Sequence, residues 1–310
     1  MAAPLVSVVI PTFNRPEFLR AAIDSVLNQS FQDMEVIVQD NASVVDPTPL
    51  VTALADARVR VFRNATNIGQ TANIVSACAR AVGKYIAILG DDDLWRPEFL
   101  AMLVPPLEQD PEIVVSFCPH DVIDQHGRLD AQLTATCNRR FRDGLSAGVH
   151  ASFVDIALIR RSICVMSGAV FRRDALDWRL MPKDLPYMSD VYVSYLAART
   201  GKGCYYHPAS LAQRREFAES ASVEATASVQ NKETIARAAL ACWDTLFRDS
   251  AVAAGRRYFA MKRADNAIRI LLCGLWLRRW GAVLRELSVF LQRGVIGPRA
   301  LLSHFRYGLH

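Results

Sequence analysis

Over its first 120 residues the chain alternates continuous apolar runs of about five residues with longer stretches whose apolar positions recur every three or four. Runs of the first kind read as strands buried on both faces and the second as amphipathic helices. Their alternation predicts successive β-α units rather than an all-helical or all-β domain. "VSVVI" (6–10) is the first strand, stopped by Pro11. "NRPEFLRAAIDSVLNQ" then puts Phe18, Ala22, Ile23, Val26 and Leu27 on one helical face, with Pro16 in the first turn, where its missing N–H costs nothing. "MEVIVQD" (34–40), "VRVF" (59–62), "YIAIL" (85–89) and "IVVSF" (113–117) follow as strands, with helices predicted over 70–81 and from about Pro97.

In an open α/β sheet, ligands bind in the crevice beyond the carboxyl ends of the strands. That rule places Thr12, Asp40, Asn41 and the run Asp91, Asp92, Asp93 on one rim. Three adjacent carboxylates repel unless something positive sits among them, which makes the run a candidate metal site. Taken alone it also suits an Asp-rich helix N-terminus. The section from 118 to 225 is less regular. It holds a strand-like stretch entering a short helix in "RRSICVMSGAVFRRDAL", then a helix from about Ser189 to Gly201 that leads into a strand. Past 225 the composition turns Ala-rich and helical. There is no internal repeat, no low-complexity tract and no G-x-G-x-x-G.

Composition narrows the class further. With 310 residues, 51% of them hydrophobic, the chain can bury one large core or two modest ones and is not a disordered segment. The seven cysteines are scattered, odd in number and without a C-x-x-C pair, so reduced thiols are expected, with neither a disulfide framework nor a zinc site. "MAAPLVSVVIPTFNR" runs straight into a strand without a leader pattern, and the expected location is cytoplasmic. The charge is uneven: from residue 251 onward eleven Lys or Arg face only Asp265 and Glu286, a net of +9. Set against +5 for the whole chain, this leaves −4 for the first 250 residues. "AIRILLCGLWLRRWGAVLRELSVFLQRGVIGPRALLSHFRYG" is interrupted by Arg too often for the ~20 apolar residues of a spanning helix. As a basic, Trp-bearing amphipathic region it suits either the inner face of an anionic membrane or packing on the rest of the protein. No motif pairs that charge with nucleic-acid binding, and no nucleic-acid partner is expected.

"VSVVIPTFNRPEFLRAAIDSVLNQSFQDMEVIVQDNAS", "NIGQTANIVSACARAVGKYIAILGDDDLWRP" and "MSDVYVSYLAARTGK" together resemble family 2 glycosyltransferases of the GT-A fold, in the family's order and spacing across roughly the first 220 residues. The resemblance implies an α/β chain: a Rossmann-like nucleotide-binding mixed sheet flanked by helices, with a helical C-terminal extension. It divides the chain into a nucleotide-sugar-binding part (1–117), an acceptor-binding part (118–225) and a basic helical region (226–310). Family members use nucleotide-sugar donors, and their D-x-D-type cluster holds Mg²⁺ or Mn²⁺ against the diphosphate leaving group. Placing Pro97 in register makes Asp92 the direct metal ligand, beside Asp93, with Asp91 nearer the ribose. By the same carry-over Pro11, Thr12 and Phe13 approach the base. Asp40 and Asn41 are donor-binding positions at the end of the second strand, where the family often has two acids and the second commonly reaches the base; Asn41 stands in its place, and Asp40 taken alone also reads as a turn-forming residue. Asn67, Gly69 and Asn73 line the nucleotide pocket, although loop and helix-cap chemistry suits them equally.

An inverting transfer also needs a base for the acceptor hydroxyl. The family's carboxylate at the start of an acceptor-side helix matches Asp190, with Ser189 where a second acid often stands. By itself Asp190 reads as a helix cap. Arg214 and Arg215 match a downstream loop that folds over the diphosphate, and Glu216 occupies the family's usual His position. The expectation is therefore an inverting, metal-dependent enzyme. It moves a sugar from a UDP-, dTDP- or GDP-linked donor to a saccharide or lipid-linked saccharide in surface polysaccharide or glycolipid synthesis. The competing expectations are a nucleotide-sugar or glycan-binding relative without turnover and a sugar-phosphate nucleotidyltransferase. The latter would carry a Gly- and basic-rich loop that "PTFNRPEF" lacks.

Overall fold

A computed structural model describes residues 3–182, 185, 187–217 and 228–297. The chain falls into two compact units, Met1–Asp184 with Ser189–Glu216, and Leu185–Met188 with Phe217–His310. The 225/226 boundary expected from composition and the end of the basic tail (298–310) lie outside the described residues.

In the first unit the four early apolar runs become β1 (Val6–Thr12), β2 (Met34–Asp40), β3 (Val59–Arg63) and β4 (Tyr85–Ile88), paired in parallel in the order β3-β2-β1-β4. Between them lie α1 (Pro16–Leu27), α2 (Thr48–Thr52) and α3 (Gln70–Cys78). After a two-residue β5 (Leu94–Trp95) come α4 (Phe99–Gln109), β6 (Ile113–Phe117), β7 (His120–Ile123), α5 (Ala131–Arg142), β8 (Gly148–His150), β9 (Ala169–Arg172), α6 (Ser189–Ala198), β10 (Gly203–Tyr206) and β11 (Ala212–Arg215). The large sheet is mixed, in the order β3-β2-β1-β4-β9-β6-β10-β8, with β9 antiparallel to both neighbours and β8 antiparallel to β10. A second, three-stranded sheet, β5-β11-β7, carries the loop after β4.

The core explains why these runs are continuous. Val6, Val8, Ile10, Val36 and Val38 pack with Leu19, Ala22, Ile23 and Val26 of α1 and Phe99, Leu100 and Leu103 of α4. Each fully buried side chain of this kind contributes about 1.5–3 kcal/mol. Leu19, rather than Phe18, completes the buried face of α1. The Phe18 ring instead lies under the Arg215 guanidinium, 5.0 Å from its centroid. The short helix expected after the "GAVF" strand is a single turn at Arg173–Ala175, and the helix over 70–81 stops at Cys78.

The second unit contains α7 (Val229–Arg248), α8 (Arg256–Trp276) and α9 (Trp280–Gln292). Ser228 caps α7 by accepting from the Asn231 N–H. Ala236, Ala267, Ile268, Ile270, Leu271, Val283 and Phe290 form its core, and Glu233 accepts from both Arg237 and Arg279. Leu272, Trp276, Trp280 and Leu284 remain exposed. Among the described residues no helix is long and apolar enough to cross a membrane.

Candidate functional site

Because β2, β1 and β4 are parallel neighbours, their carboxyl ends share one edge: Thr12 stands opposite Asp40 in register, and Asp91–Asp93 follow β4. The first two loops are fastened together. The Asn41 N–H donates to the Thr12 carbonyl at 2.9 Å, the Asn14 N–H to Ser43 Oγ at 2.8 Å, and the Val44 N–H to Asn14 Oδ1 at 2.8 Å. Asn14 and Ala42 both hold positive φ, 56° and 64°, in the left-handed region that L side chains seldom adopt. Pro11 closes onto Gln39 in the same ladder, and Phe13 projects from the rim, 40% exposed.

The three carboxylates point to different partners. Asp91 accepts from Thr12 Oγ1 at 2.8 Å, the Phe13 N–H at 3.3 Å and Arg15 Nη1 at 3.3 Å. Asp92 accepts from Arg15 Nη1 at 2.6 Å and is the most open of the three. Asp93 accepts from Ser167 Oγ at 2.6 Å and the Arg215 N–H at 3.0 Å. Gly90 permits this crowding, since a Cβ there would lie 3.1 Å from both Asp92 Oδ1 and Asp93 Oδ2. Burial, then the charge of Asp92, pushes Asp91 up to about 6 against the pull of Arg15, Thr12 and the Phe13 amide. The same two causes push Asp93 up to about 7 against Ser167, the Arg215 amide and Arg214. Two buried carboxylates beside a third acid are a setting in which a hard divalent cation would favour the ionised forms. Among the described residues no three Asp, Glu, His or Cys side chains converge as metal ligands. A cation here would draw on one or two carboxylates and on ligands from outside the protein.

Asp40 is wholly buried. Its carboxylate accepts from the Ser43 N–H and Oγ and faces Arg63 Nε at 3.3 Å. Asn41, Asn67 and Asn73 belong to one carboxamide network with two residues that motif reading does not single out, Gln39 and Asn64. Gln39 Nε2 donates to Asn64 Oδ1 at 3.0 Å, and Asn64 Nδ2 donates to Asn41 Oδ1 at 3.1 Å and Asn73 Oδ1 at 2.8 Å. Asn41 Nδ2 donates to Asn67 Oδ1 at 2.8 Å, which also receives the Gly69 N–H at 2.9 Å. Gly69 holds φ +86°, which a side chain would strain.

Asp190 sits in the first turn of α6, partly exposed. Burial raises its pKa, while the Arg161 and Arg214 guanidinium groups and the Met166 amide pull it back. Next to it, Ser189 Oγ lies 3.2 Å from Thr71 Oγ1 of α3. Arg214 pairs with Glu216 at 3.4 Å, and its charge reaches both Asp93 and Asp190. Arg215 is spent on the frame. Its Nε donates to the Asp92 carbonyl at 2.9 Å and its Nη1 to the carbonyls of Asp124 and Gln125 at 2.9 and 3.0 Å. Arg15 and Ser167, which touch the acidic run, carry no motif signal of their own beyond their place in "TFNRP" and "VMSGA".

The fold that carries these residues has counterparts. Residues 7–177 match the model of glycosyl transferase family 2. The chain belongs to that family and has its GT-A fold. It is similar to Staphylococcus aureus TarS 1–349 in complex with UDP-GlcNAc, with a TM-score of 0.66 at 17% identity over 95% of this chain and 82% of that one. It is also similar to the mannosyltransferase PcManGT from Pyrobaculum calidifontis in complex with GDP-Man and Mn²⁺, with a TM-score of 0.58 at 17% identity over 100% and 89% of the two chains. Among curated proteins it is 32% identical, over 134 residues, to the GalNAc(5)-diNAcBac-PP-undecaprenol beta-1,3-glucosyltransferase of Campylobacter jejuni, covering 42% of each. It is 35% identical to an uncharacterised glycosyltransferase of Methanocaldococcus jannaschii over 42% of this chain and 46% of that one. The chain spans from about a fifth to about half the length of the curated relatives it matches.

Proposed function

We propose that the protein is an inverting glycosyltransferase. It moves a sugar from a UDP-, dTDP- or GDP-linked donor to a hydroxyl of a saccharide or lipid-linked saccharide, in surface polysaccharide or glycolipid synthesis. The observation that carries this reading is the convergence of Thr12, Asp40 and the acidic run on one sheet edge in a chain of glycosyl transferase family 2, with Arg214 favouring the charged forms of Asp93 and Asp190.

Pro11, Thr12 and Phe13, with the carboxamide network of Asn41, Asn67 and Asn73, line the nucleoside side. Asp40 positions that loop through Ser43 and Arg63 at the same edge. Mg²⁺ or Mn²⁺ on Asp92 would offset the charge developing on the leaving diphosphate. Asp93 and Arg215 lock the β4 loop to β11, and Arg214 faces the phosphates. Asp190 accepts the proton of the acceptor hydroxyl as its oxygen attacks the anomeric carbon, and the nucleoside diphosphate departs from the opposite face. A base needs a pKa near the working pH, and the raised pKa of Asp190 supports that role. In the second unit, exposed Trp276, Trp280, Leu272 and Leu284 beside Arg269, Arg278 and Arg285 support a peripheral contact with the inner face of the cytoplasmic membrane.

Thermal stabilisation by UDP, dTDP, GDP and their sugars, with Mn²⁺, Mg²⁺ or EDTA, tests the donor reading, because a ligand of the folded state raises its midpoint. A metal-dependent rise lost in Asp92→Ala supports it. Donor binding with no transfer in either wild type or Asp190→Asn would instead favour a binding protein without turnover.

A further inference from the structure

The carboxamide network at the sheet edge has a fixed polarity. An amide side chain can face its neighbours either way round, and groups that only donate or only accept decide which end points where. At one end the Arg80 Nε–H, which cannot accept, donates to Gln39 Oε1 at 3.0 Å. Gln39 Nε2 is thereby turned toward Asn64 Oδ1, and Asn64 Nδ2 toward the oxygens of Asn41 and Asn73. Three backbone groups impose the same sense independently. The Ile68 N–H donates to Asn41 Oδ1 at 3.0 Å, the Gly69 N–H donates to Asn67 Oδ1 at 2.9 Å, and the Gln39 carbonyl accepts from Asn73 Nδ2 at 3.0 Å.

This polarity decides what the network has left to offer. A carboxamide oxygen accepts two hydrogen bonds. Asn41 Oδ1 takes its two from Asn64 and Ile68, and Asn67 Oδ1 takes its two from Asn41 and Gly69. On the donor side, one hydrogen of Asn41 Nδ2 and both of Asn67 Nδ2 have no acceptor among the described residues. Asn41 is buried and Asn67 exposed, so Asn67 is the member that meets a ligand from solvent. Apolar surface lies at the same edge: Ile68, next to Asn67, is 43% exposed, and Phe13, on the loop joined to Asn41 through the Thr12 carbonyl, is 40% exposed. A flat ring with hydrogen-bond acceptors on its rim matches apolar side chains and outward N–H groups together.

Nucleobases divide on this chemistry. Uracil, thymine and guanine carry a ring carbonyl, an acceptor, where cytosine and adenine carry an amino group, a donor. An amide N–H set against an amino group leaves both donors unpaired, and a site built for one partner rejects the other.

We propose that Asn67, oriented by Asn41, selects the base of the sugar donor by donating to its ring carbonyl, O4 of uracil or thymine or O6 of guanine, and so discriminates against cytosine and adenine. The proposal rests on the nucleotide-sugar reading and adds the rule by which the base is chosen.

UDP, CDP, GDP and ADP are titrated into the full chain with Mg²⁺, wild type and Asn67→Asp, with affinity read by calorimetry. Aspartate keeps the oxygen that accepts from Gly69 and Asn41 and replaces the outward amide group by an acceptor. Its added charge weakens all four nucleotides alike, so the readout is the affinity ratio within each pair, UDP to CDP and GDP to ADP. The expected result is a preference of at least tenfold for the keto base in one or both pairs in the wild type, reduced at least tenfold in Asn67→Asp. The pair that shows it tells a pyrimidine donor from a purine one. Equal binding of keto and amino nucleotides by the wild type overturns the proposal without recourse to the variant, and so does a ratio unchanged in Asn67→Asp. In both of those outcomes nucleotides still bind and the nucleotide-sugar reading stands. Failure of that reading appears instead as no binding of any of the four, which removes the proposal with it.

Discussion

Arg15 Nη1 lies 2.6 Å from the Asp92 carboxylate and 3.3 Å from Asp91, so one guanidinium is the counter-charge of two of the three acids in the run. A divalent cation on Asp92 competes with it for the same oxygens. Arg15→Gln is therefore expected to bind Mn²⁺ more tightly than wild type, by about fivefold, or about 1 kcal/mol, the usual worth of a partly exposed ion pair. Paramagnetic resonance of free Mn²⁺ checks this. An unchanged or weaker affinity would remove Asp92 as the ligand.

Asn64 donates to Asn41 and Asn73 and accepts from Gln39, so it joins three strands' worth of loop into one polar network. Asn64→Ala leaves partners unsatisfied on partly or fully buried side chains, and each such loss costs about 1–3 kcal/mol. Urea unfolding should show a loss in this range together with weaker nucleoside binding. A stability change without any effect on nucleoside binding would detach the network from the donor pocket.

The central strands were legible because double-sided burial demands unbroken apolar runs, and 34–40 and 113–117 form over the expected residues. Convergence of Thr12, Asp40 and the acidic run on one edge follows from parallel pairing alone. The antiparallel insertion of β9 between β4 and β6 was not legible, because a four-residue apolar run encodes burial and not its partner. Nor were Arg15, Ser167 and Asn64. Each acts through a contact across 9 to 77 positions of sequence, and such polar pairings leave no periodicity. Asp40 shows the converse: its motif position is legible, but the full burial that turns its side chain toward Ser43 is a property of packing.

Asp190 is the group on which the rate should depend. Asp190→Asn is expected to lower kcat by about 10²–10⁴, the usual worth of a positioned general base, while donor affinity holds. A base acts only when deprotonated, so kcat/KM falls as pH drops through its pKa. Burial places that fall above the ordinary carboxylate range near 4. Arg161→Gln removes a cation that favours the charged form, and the acid limb should move to still higher pH. A limb at the ordinary carboxylate position, or one unmoved in Arg161→Gln, would assign the base elsewhere.

His120 sets a second pH dependence, in stability. Burial, Arg142 and Arg214 lower its pKa to about 3, whereas an unfolded chain carries it near 6.5. Above pH 6.5 both states are neutral at this residue and its contribution is complete. As pH falls from 6.5 toward 3, the unfolded chain takes up a proton that the folded chain refuses, and stability is lost progressively. By pH 4.5 the loss from this residue amounts to about 2–3 kcal/mol. His120→Gln keeps a polar side chain without the titration, so its unfolding free energy should fall by that much less between pH 7.5 and 4.5, whatever its absolute stability. Parallel urea series at the two pH values measure the difference directly. Identical losses in wild type and variant would mean that His120 takes up its proton as readily in the folded state as in the unfolded chain.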